Sequence, residues 1–473
     1  MSIKTVHNPD EHRGPAHPPD SPDSPNGPAA GRGWIGGATL LPASFAARAY
    51  DRNRRDNRGY WPHLWFAVIG LIGLLAYDGA AEFLVWFPVA AGLVRRKPAW
   101  PEFAVATLTP IGIAAIGIAA WSGLSLAWSP DRAQGFDEWA AIRHALLIPA
   151  LWVVRDHRAW LIAALAIGFG LGHLTQVGHA IGVWGDVAWL RWPRLPDRNS
   201  GWWDPVVGGS LATAALGLHL PAVLWGRGRW RVVGGVGVLA ALAGVVATGT
   251  RGAWIAAAGL VGLGVLAAVL GAIRRGGWRR VWVPVVIAVV GAGLGAVVAG
   301  PTVLERGERA VGEVRRVLDE GDFASDTGRR LLMWQESWRA VSAHPIRGVG
   351  EGGLVPFATR DVEGRGIDPG LLLPHAHGMW AQVLAATGVV GGVVWVVLIV
   401  LAFRVGWGGA TDADSASRVG FGAAYATAPA WALVGLLMAG VFDSVHLNSQ
   451  TSMLLWALVA LCAMGARSPR TAG

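Results

Sequence analysis

Apolar runs about as long as a membrane is thick recur from residue 62 to the end of the chain, broken by short basic clusters. A helix of about 20 such residues crosses the ~30 Å hydrocarbon core of a bilayer. The pattern predicts spans at 62–78, 79–94, 103–128, 138–154, 159–184, 206–225, 232–249, 252–272, 281–300, 379–403, 419–441 and 451–466. The first two are short and fit a tight hairpin. The predicted fold is therefore an all-α polytopic membrane protein with about 12 transmembrane helices. Between the ninth and tenth spans, residues 301–378 carry no long apolar run and form one large, partly helical loop. Residues 1–60 have no hydrophobic period and read as a disordered tail rich in Pro, Asp, Gly and Ser. That tail lacks the order of basic region and apolar core that marks a signal peptide. Residues 61–466 then form the transmembrane domain, and 467–473 a short second tail.

Charge orients the spans. Apolar residues make up 53% of the chain and charged residues 15%, and the formal net charge of +9 is nearly all arginine, since Lys4 and Lys97 are the only lysines. The arginines lie in short clusters between apolar runs, which suits membrane topology and not nucleic-acid binding. Arg95-Arg96-Lys97, Arg155 with Arg158, Arg227 to Arg231, Arg274 to Arg280, Arg404 and Arg418 all fall on one side. Basic loops stay cytoplasmic, so both termini are predicted inside. The lone Cys462 lies within the last apolar run and excludes a disulfide or cysteine–zinc framework.

The exceptions carry the chemistry. On the opposite, outer face stand Arg191, Arg194 and Arg198, then Arg251 in the very short TGTRGAW hairpin, and Arg143 just inside the fourth span. Arginine near lipid needs a partner. Few carboxylates lie close in sequence, so the predicted partner is an anionic ligand such as phosphate, which matches the guanidinium fork. For Arg143, snorkelling to the interface is the alternative. Arg306, Arg309, Arg315 and Arg316 read as the solvated face of an amphipathic helix with i,i+4 pairing. Further on, a helix from about Arg329 to Ala343 is predicted, capped by Asp326 or Thr327 and packed through Leu331, Trp334, Trp338 and Val341. Arg329 and Arg330 at its start, beside a helix N-terminus, suit a phosphate grip.

His375 and His377 precede the tenth span in PHAHGMWAQVLAATGVVG. A metal site there needs a third protein ligand, and the nearby Asp361, Glu363 and Asp368 have no suggestive spacing. Asp412-Ala-Asp414 reads as a solvated turn, and GVGEGG, which has no lysine, as a turn and not a P-loop. A histidine base suits proton removal from a hydroxyl. Arginines around it would neutralise a departing diphosphate, a role metal ions play elsewhere, so the expected chemistry needs no metal and no cofactor.

TGTRGAW, Arg330-Leu-Leu-Met-Trp334, HPIRGVGEGG and PHAHGMWAQVLAATGVVG, in that order, resemble the bacterial O-antigen ligase/polymerase superfamily. The likeness in motifs covers roughly residues 190–395. In that family a histidine followed by Asn, Ser or Gln precedes nine residues, a glycine, two residues, and Gly, Thr or Tyr. His377, Gly388 and Gly391 keep that spacing, while Gly378 replaces the polar residue. The resemblance implies a glycosyltransferase of the bacterial inner membrane, working at the periplasmic face. Its donor would be an undecaprenyl-diphosphate-linked glycan and its acceptor lipid A-core or another glycan. It implies His377 as catalytic base, with Arg251 and Arg330 needed for activity. Arg198, Arg329, His375 and Arg143 are the further substrate-binding candidates. A polymerase of the same superfamily, with Arg198…Gly209 and Arg339…Gly350 as its Arg-x10-Gly pairs, is an alternative. So are a protein O-oligosaccharyltransferase and a transporter of the same lipid-linked donor, although no internal repeat supports the last.

Overall fold

Proline and glycine decide where the apolar runs become helices and where they break. The computed structural model describes residues 39–183, 198–275, 304–408 and 420–465, with residues 286 and 300, and all regular structure among them is helical. Helix α1 (Ala43–Arg55) lies inside the stretch expected to be a tail, and buries Ala49 and Asn53. Asp56 then caps α2 (Asn57–Gly73) by accepting from the Gly59 N–H. The predicted second span is two short helices, α3 (Asp78–Leu84) and α4 (Phe87–Val94), with Pro88 opening the latter. The third run is also divided. Helices α5 (Arg96–Thr107) and α6 (Pro110–Ser125) meet at 81°, where Thr109 caps α6 through the Gly112 N–H at 3.1 Å and Pro110 supplies no N–H to continue α5. The fourth run comprises α7 (Arg132–Ala140), a 3-10 turn over Ala141–Leu146 and α8 (Leu147–Trp152).

Straight helices follow: α9 (Arg158–Ala180), α10 (Pro205–Trp225), α11 (Arg229–Ala247) and α12 (Arg251–Arg275). Among the described residues six helices are long and apolar enough to cross a membrane, or seven if the bent α5–α6 pair is one span. The fold is thus all-α and polytopic, while the predicted first, second, fourth and last spans are short or broken. The ninth predicted span lies outside the described residues, apart from residues 286 and 300. So do residues 1–38, Arg191, Arg194 and the Asp412–Asp414 turn.

In the large loop, α13 (304–320) and α14 (Asp326–Ala343) come first. Ser325, and not Asp326 or Thr327, caps α14, accepting from the Gly328 N–H at 3.0 Å. The predicted packing face is also displaced. Leu332, Met333, Glu336, Ser337 and Ala340 are buried, whereas Trp338 is 66% exposed. Small residues at 337 and 340 let α14 come close to its neighbour, and a Trp edge would hold it away. Helix α15 (Leu354–Gly364) completes the loop before α16 (Met379–Gly408) returns to the bundle. The short α17 (Phe421–Ala424), then α18 (Ala428–Ala439) and α19 (Ser449–Ala463) close the chain.

One end of the bundle gathers the elements that bear the outer arginines. There Asn199 donates to the Gln176 carbonyl at 2.8 Å, Thr250 to the Pro205 carbonyl at 2.8 Å, and the Met379 N–H to the Gly440 carbonyl at 2.7 Å. At the opposite end the basic clusters are tied down. Arg158 Nε caps the Leu461 carbonyl at 2.7 Å, Arg155 pairs with Glu102 at 2.6 Å and Arg95 with Asp56 at 2.9 Å.

Helix α16 is broken at Gly388, whose φ of 66° and ψ of −168° only glycine adopts comfortably. The glycine-rich loop after α14 fills the break. The Val349 and Gly350 N–H groups donate to the Ala385 and Ala386 carbonyls, both at 2.9 Å, and the Val389 N–H donates to the Pro345 carbonyl at 2.9 Å. Trp121 Nε1 reaches the Thr387 carbonyl at 2.9 Å. A Cβ at Gly388 would collide with the Ile346 carbonyl. Gly388→Ala is expected to destabilise the fold by at least about 1–3 kcal/mol. Gly262→Ala, on an open face of α12, is expected to be neutral or to gain up to about 1 kcal/mol. Thermal unfolding of both variants in detergent checks the contrast, and equal melting temperatures contradict it.

Candidate active site

The loop from α15 into α16 carries the histidines in an unusual backbone. His377, at φ +49°, is the sole non-glycine residue with positive φ among those described. Such a conformation costs about 1–3 kcal/mol and persists only where neighbours hold it. Here the His377 N–H donates to Nδ1 of His375 at 3.2 Å, and the His377 carbonyl accepts from Trp334 Nε1 at 3.4 Å. The Ala376 N–H between them donates to Gln382 Oε1 at 2.9 Å. The two rings stand 4.1 Å apart, centre to centre. Because Nδ1 of His375 accepts, the proton of its neutral ring resides on Nε2. Nδ1 of His377 is buried with no hydrogen-bond partner.

Gly378 has a steric reason. A Cβ there would sit 3.0 Å from the Val441 carbonyl and 3.2 Å from Trp334 Nε1. The turn after α18 and the Trp334 indole thus occupy the space a polar side chain needs at this point of the motif. Gly391 is likewise confined, with a Cβ 3.2 Å from Trp121 and in collision with Thr387.

The arginines divide into two groups. Arg330 donates to the Phe442 carbonyl at 3.3 Å and lies close enough to both histidines and to buried Asp443 to act on their charge. The half-buried Arg198 joins it: burial, then Arg306 and, despite Asp326, Arg330 lower its pKa from the ordinary value. Arg306, expected on a solvated face, instead reaches the Gly249 carbonyl at 2.7 Å, because the α11–α12 turn is too short to satisfy that carbonyl itself. Arg309 does follow the expected pattern, pairing with Glu305 four residues away at 2.8 Å.

Among the described residues, Arg251 and Arg143 have carboxylate partners, which corrects the expectation that carboxylates are too few. Arg251 bonds Glu313 at 3.3 Å and Thr327 at 3.0 Å, and the Thr327 hydroxyl donates to the same carboxylate. Burial opposes the charge on Glu313, yet these donors from Thr327 and Arg251 hold its pKa below the ordinary value. Arg143 pairs with Glu82 at 3.4 Å and donates to the Ala140 carbonyl at 2.9 Å. Arg329, the supposed phosphate grip, spends its donors on the Leu371 and Leu372 carbonyls at 2.9 and 3.3 Å, fastening the histidine loop. Tertiary folding brought these carboxylates from distant segments, so local sequence could not reveal them. The Arg-x10-Gly pairs also have local explanations. Arg339 lies 3.8 Å from Glu336 and 3.6 Å from Asp361, while Gly209 packs against Ala253 and Gly350 takes a φ of 91°.

Asp443, in the turn after α18, was not singled out by sequence. It is 7% exposed; burial pushes its carboxyl up to about 6, although the Ser444 N–H and Arg330 favour its charge. An acid in VFDSVH between two apolar runs was the available signal. Among the described residues no three His, Cys, Asp or Glu side chains converge as a metal site.

Burial, then Arg330, brings the His375 imidazole down to about 4. Burial, then His375, Arg330 and Arg329, brings His377 down to about 3. Both rings are therefore expected to stay neutral from pH 8 down to about pH 5. Arg330→Gln removes a cation and should raise both values. Imidazole NMR titration of histidine-labelled protein reads this directly, and a His377 signal titrating near pH 6.5 in the unaltered chain contradicts it.

No curated protein matches the chain. Residues 236–396 match the family described as O-antigen ligase, a segment that runs from α11 through Arg251, α14 and the histidine loop to the glycines of α16. That match supports membership of the O-antigen ligase superfamily.

Proposed function

We propose that the chain transfers a preassembled glycan from undecaprenyl diphosphate to a sugar hydroxyl of lipid A-core, at the periplasmic face of the bacterial inner membrane. The observation that carries this reading is the meeting of a neutral, unpartnered histidine with Arg330 and Arg198 at one end of the bundle. His377 takes the proton of the acceptor hydroxyl. The acceptor oxygen bonds to the anomeric carbon as the bond from that carbon to the diphosphate oxygen breaks, with inversion. The electron pair leaves on undecaprenyl diphosphate, whose charge Arg330 and Arg198 stabilise. Arg251, paired with Glu313, stands at the N-terminal end of α12, whose dipole favours an anion there.

The low pKa of His377 has a consequence for the order of events. In the free protein the imidazole is a poor base, because burial and two arginines disfavour the imidazolium. A bound diphosphate offsets the arginine charge and raises the pKa toward the operating pH, where a general base is most effective. The base is thereby activated by its donor. The acceptor separates the readings within the superfamily: lipid A-core for a ligase, a second lipid-linked glycan for a polymerase, a protein hydroxyl for an oligosaccharyltransferase.

Transfer between purified lipid-linked glycan and acceptor tests the proposal. His377→Ala should lower turnover by about 10²-fold or more while donor binding persists, and full activity in that variant would sink the base assignment. Arg330→Ala should weaken both donor binding and turnover. Chelation by EDTA should leave the rate unchanged, since arginines supply the charge; a loss restored by a divalent cation overturns that part.

A further inference from the structure

Behind the histidine loop lies a group of buried polar side chains that the transfer chemistry leaves unused. Glu138 at the end of α7, Glu351 in the glycine-rich loop and Gln382 in the first turn of α16 are 7%, 8% and 1% exposed. With Thr387 and His446 they surround a small internal cavity, except for Gln382, which borders Glu138. Two chain segments converge on one carboxylate oxygen. Oε2 of Glu138 accepts from the Gly352 N–H at 2.8 Å and from Gln382 Nε2 at 3.4 Å. The other end of the Gln382 amide accepts from the Ala376 N–H, the peptide between the two histidines, at 2.9 Å. Oε1 of Glu138 accepts from Gln134 at 3.4 Å.

Glu351 completes the arrangement. Its backbone N–H donates to Ser125 Oγ at 3.0 Å. Burial, then the facing Glu138 carboxylate, raises the pKa of its own carboxyl. Burial and mutual repulsion thus favour a proton between the two carboxyls. A buried carboxylate is tolerable when donors surround it, and Glu138 has them from the loop, from α16 and from Glu351.

We propose that Glu138 and Gln382 are positioning residues for His377: the Gln382 amide links the Glu138 carboxylate to the Ala376 N–H and so holds His377 in its left-handed conformation, facing the arginine site. This inference rests on His377 being the base. Without Gln382, the Ala376 N–H is left buried and unbonded, and the strained φ of His377 loses one of the few contacts that maintain it. The loop then relaxes and the imidazole shifts. A shift of about 1 Å in a catalytic group can lower turnover as much as 10²-fold, with donor binding untouched because the arginines stand on other elements.

The test uses the full chain in detergent with lipid-linked glycan donor and glycan acceptor. Gln382→Met keeps the length of the side chain and removes its hydrogen bonds. Turnover is expected to fall by about 10-fold or more at a donor KM within about twofold of the unaltered chain. Glu138→Gln, which retains an acceptor oxygen, is expected to be more active than Glu138→Ala. Turnover of Gln382→Met within twofold of the unaltered chain overturns the inference, as does a loss carried by donor KM alone. Should Glu138→Ala fail to fold, Gln382→Met with its KM split decides. His377→Ala, measured beside them, separates the two failures. If it is inactive while Gln382→Met is not, only the positioning role falls; if it is active, the base assignment falls and the positioning role with it.

Discussion

Five backbone and indole hydrogen bonds around Gly388 govern the architecture of this end of the molecule. A helix interrupted among apolar neighbours exposes carbonyl and N–H groups that no water will satisfy, and each costs several kcal/mol if left unpaired. Here the 345–350 segment takes up the Ala385 and Ala386 carbonyls and the N–H groups of Val389 and Val390, while Trp121 takes the Thr387 carbonyl. The glycines at 348 and 350 permit the loop to turn into the gap with positive φ. Because the loop cannot leave without orphaning those groups, the start of α16 is rigidly tied to α6 and α7. The histidine loop inherits that rigidity from the first turn of α16.

Electrostatics at the same end follow from how few charges are left without a counter-charge. Arg251, Arg143 and Arg339 have carboxylate partners, and Arg329 has carbonyls. Arg198, Arg306 and Arg330 stand close enough to depress Arg198, with Asp326, Asp204 and Asp443 as incomplete balance. Arginines with acidic neighbours but no direct ion pair among the described residues, beside two buried imidazoles, suit the receipt of a dianionic leaving group under the proposed function. Selection of phosphate over a sugar carboxylate then depends on the number of forks that converge, not on any one arginine. The arginine field adds to burial in holding the His377 pKa low.

Much of this was readable in the chain before folding. The apolar period predicted helices α9 to α12, α16 and the α17–α18 span within a few residues, since length and hydropathy are local properties. The His377–Gly388–Gly391 spacing was legible as a motif, and the structure gives its glycines reasons: positive φ at 388 and close packing at 391. Arg251 at a turn of no length was also visible. What escaped were partners. Glu313 is 62 residues from Arg251 and Gln382 is 244 from Glu138, and no pattern within a segment announces such pairs. The buried face of α14 was misjudged for a related reason: tryptophan was assumed to pack inward, whereas close approach to α16 favoured Ser337 and Ala340.

Helical character and several membrane crossings were legible from the chain alone, as were arginine and histidine as the candidates for its chemistry. Those properties depend on hydropathy over about 20 residues and on residue type. Only folding settled which arginines meet protein carboxylates and which meet carbonyls. It also set the positive φ of His377 and the burial that lowers its pKa, and placed Trp334 and the Val441 carbonyl against Gly378. These are consequences of groups brought within a few ångströms from segments far apart in the chain, where desolvation and paired charge outweigh local preference.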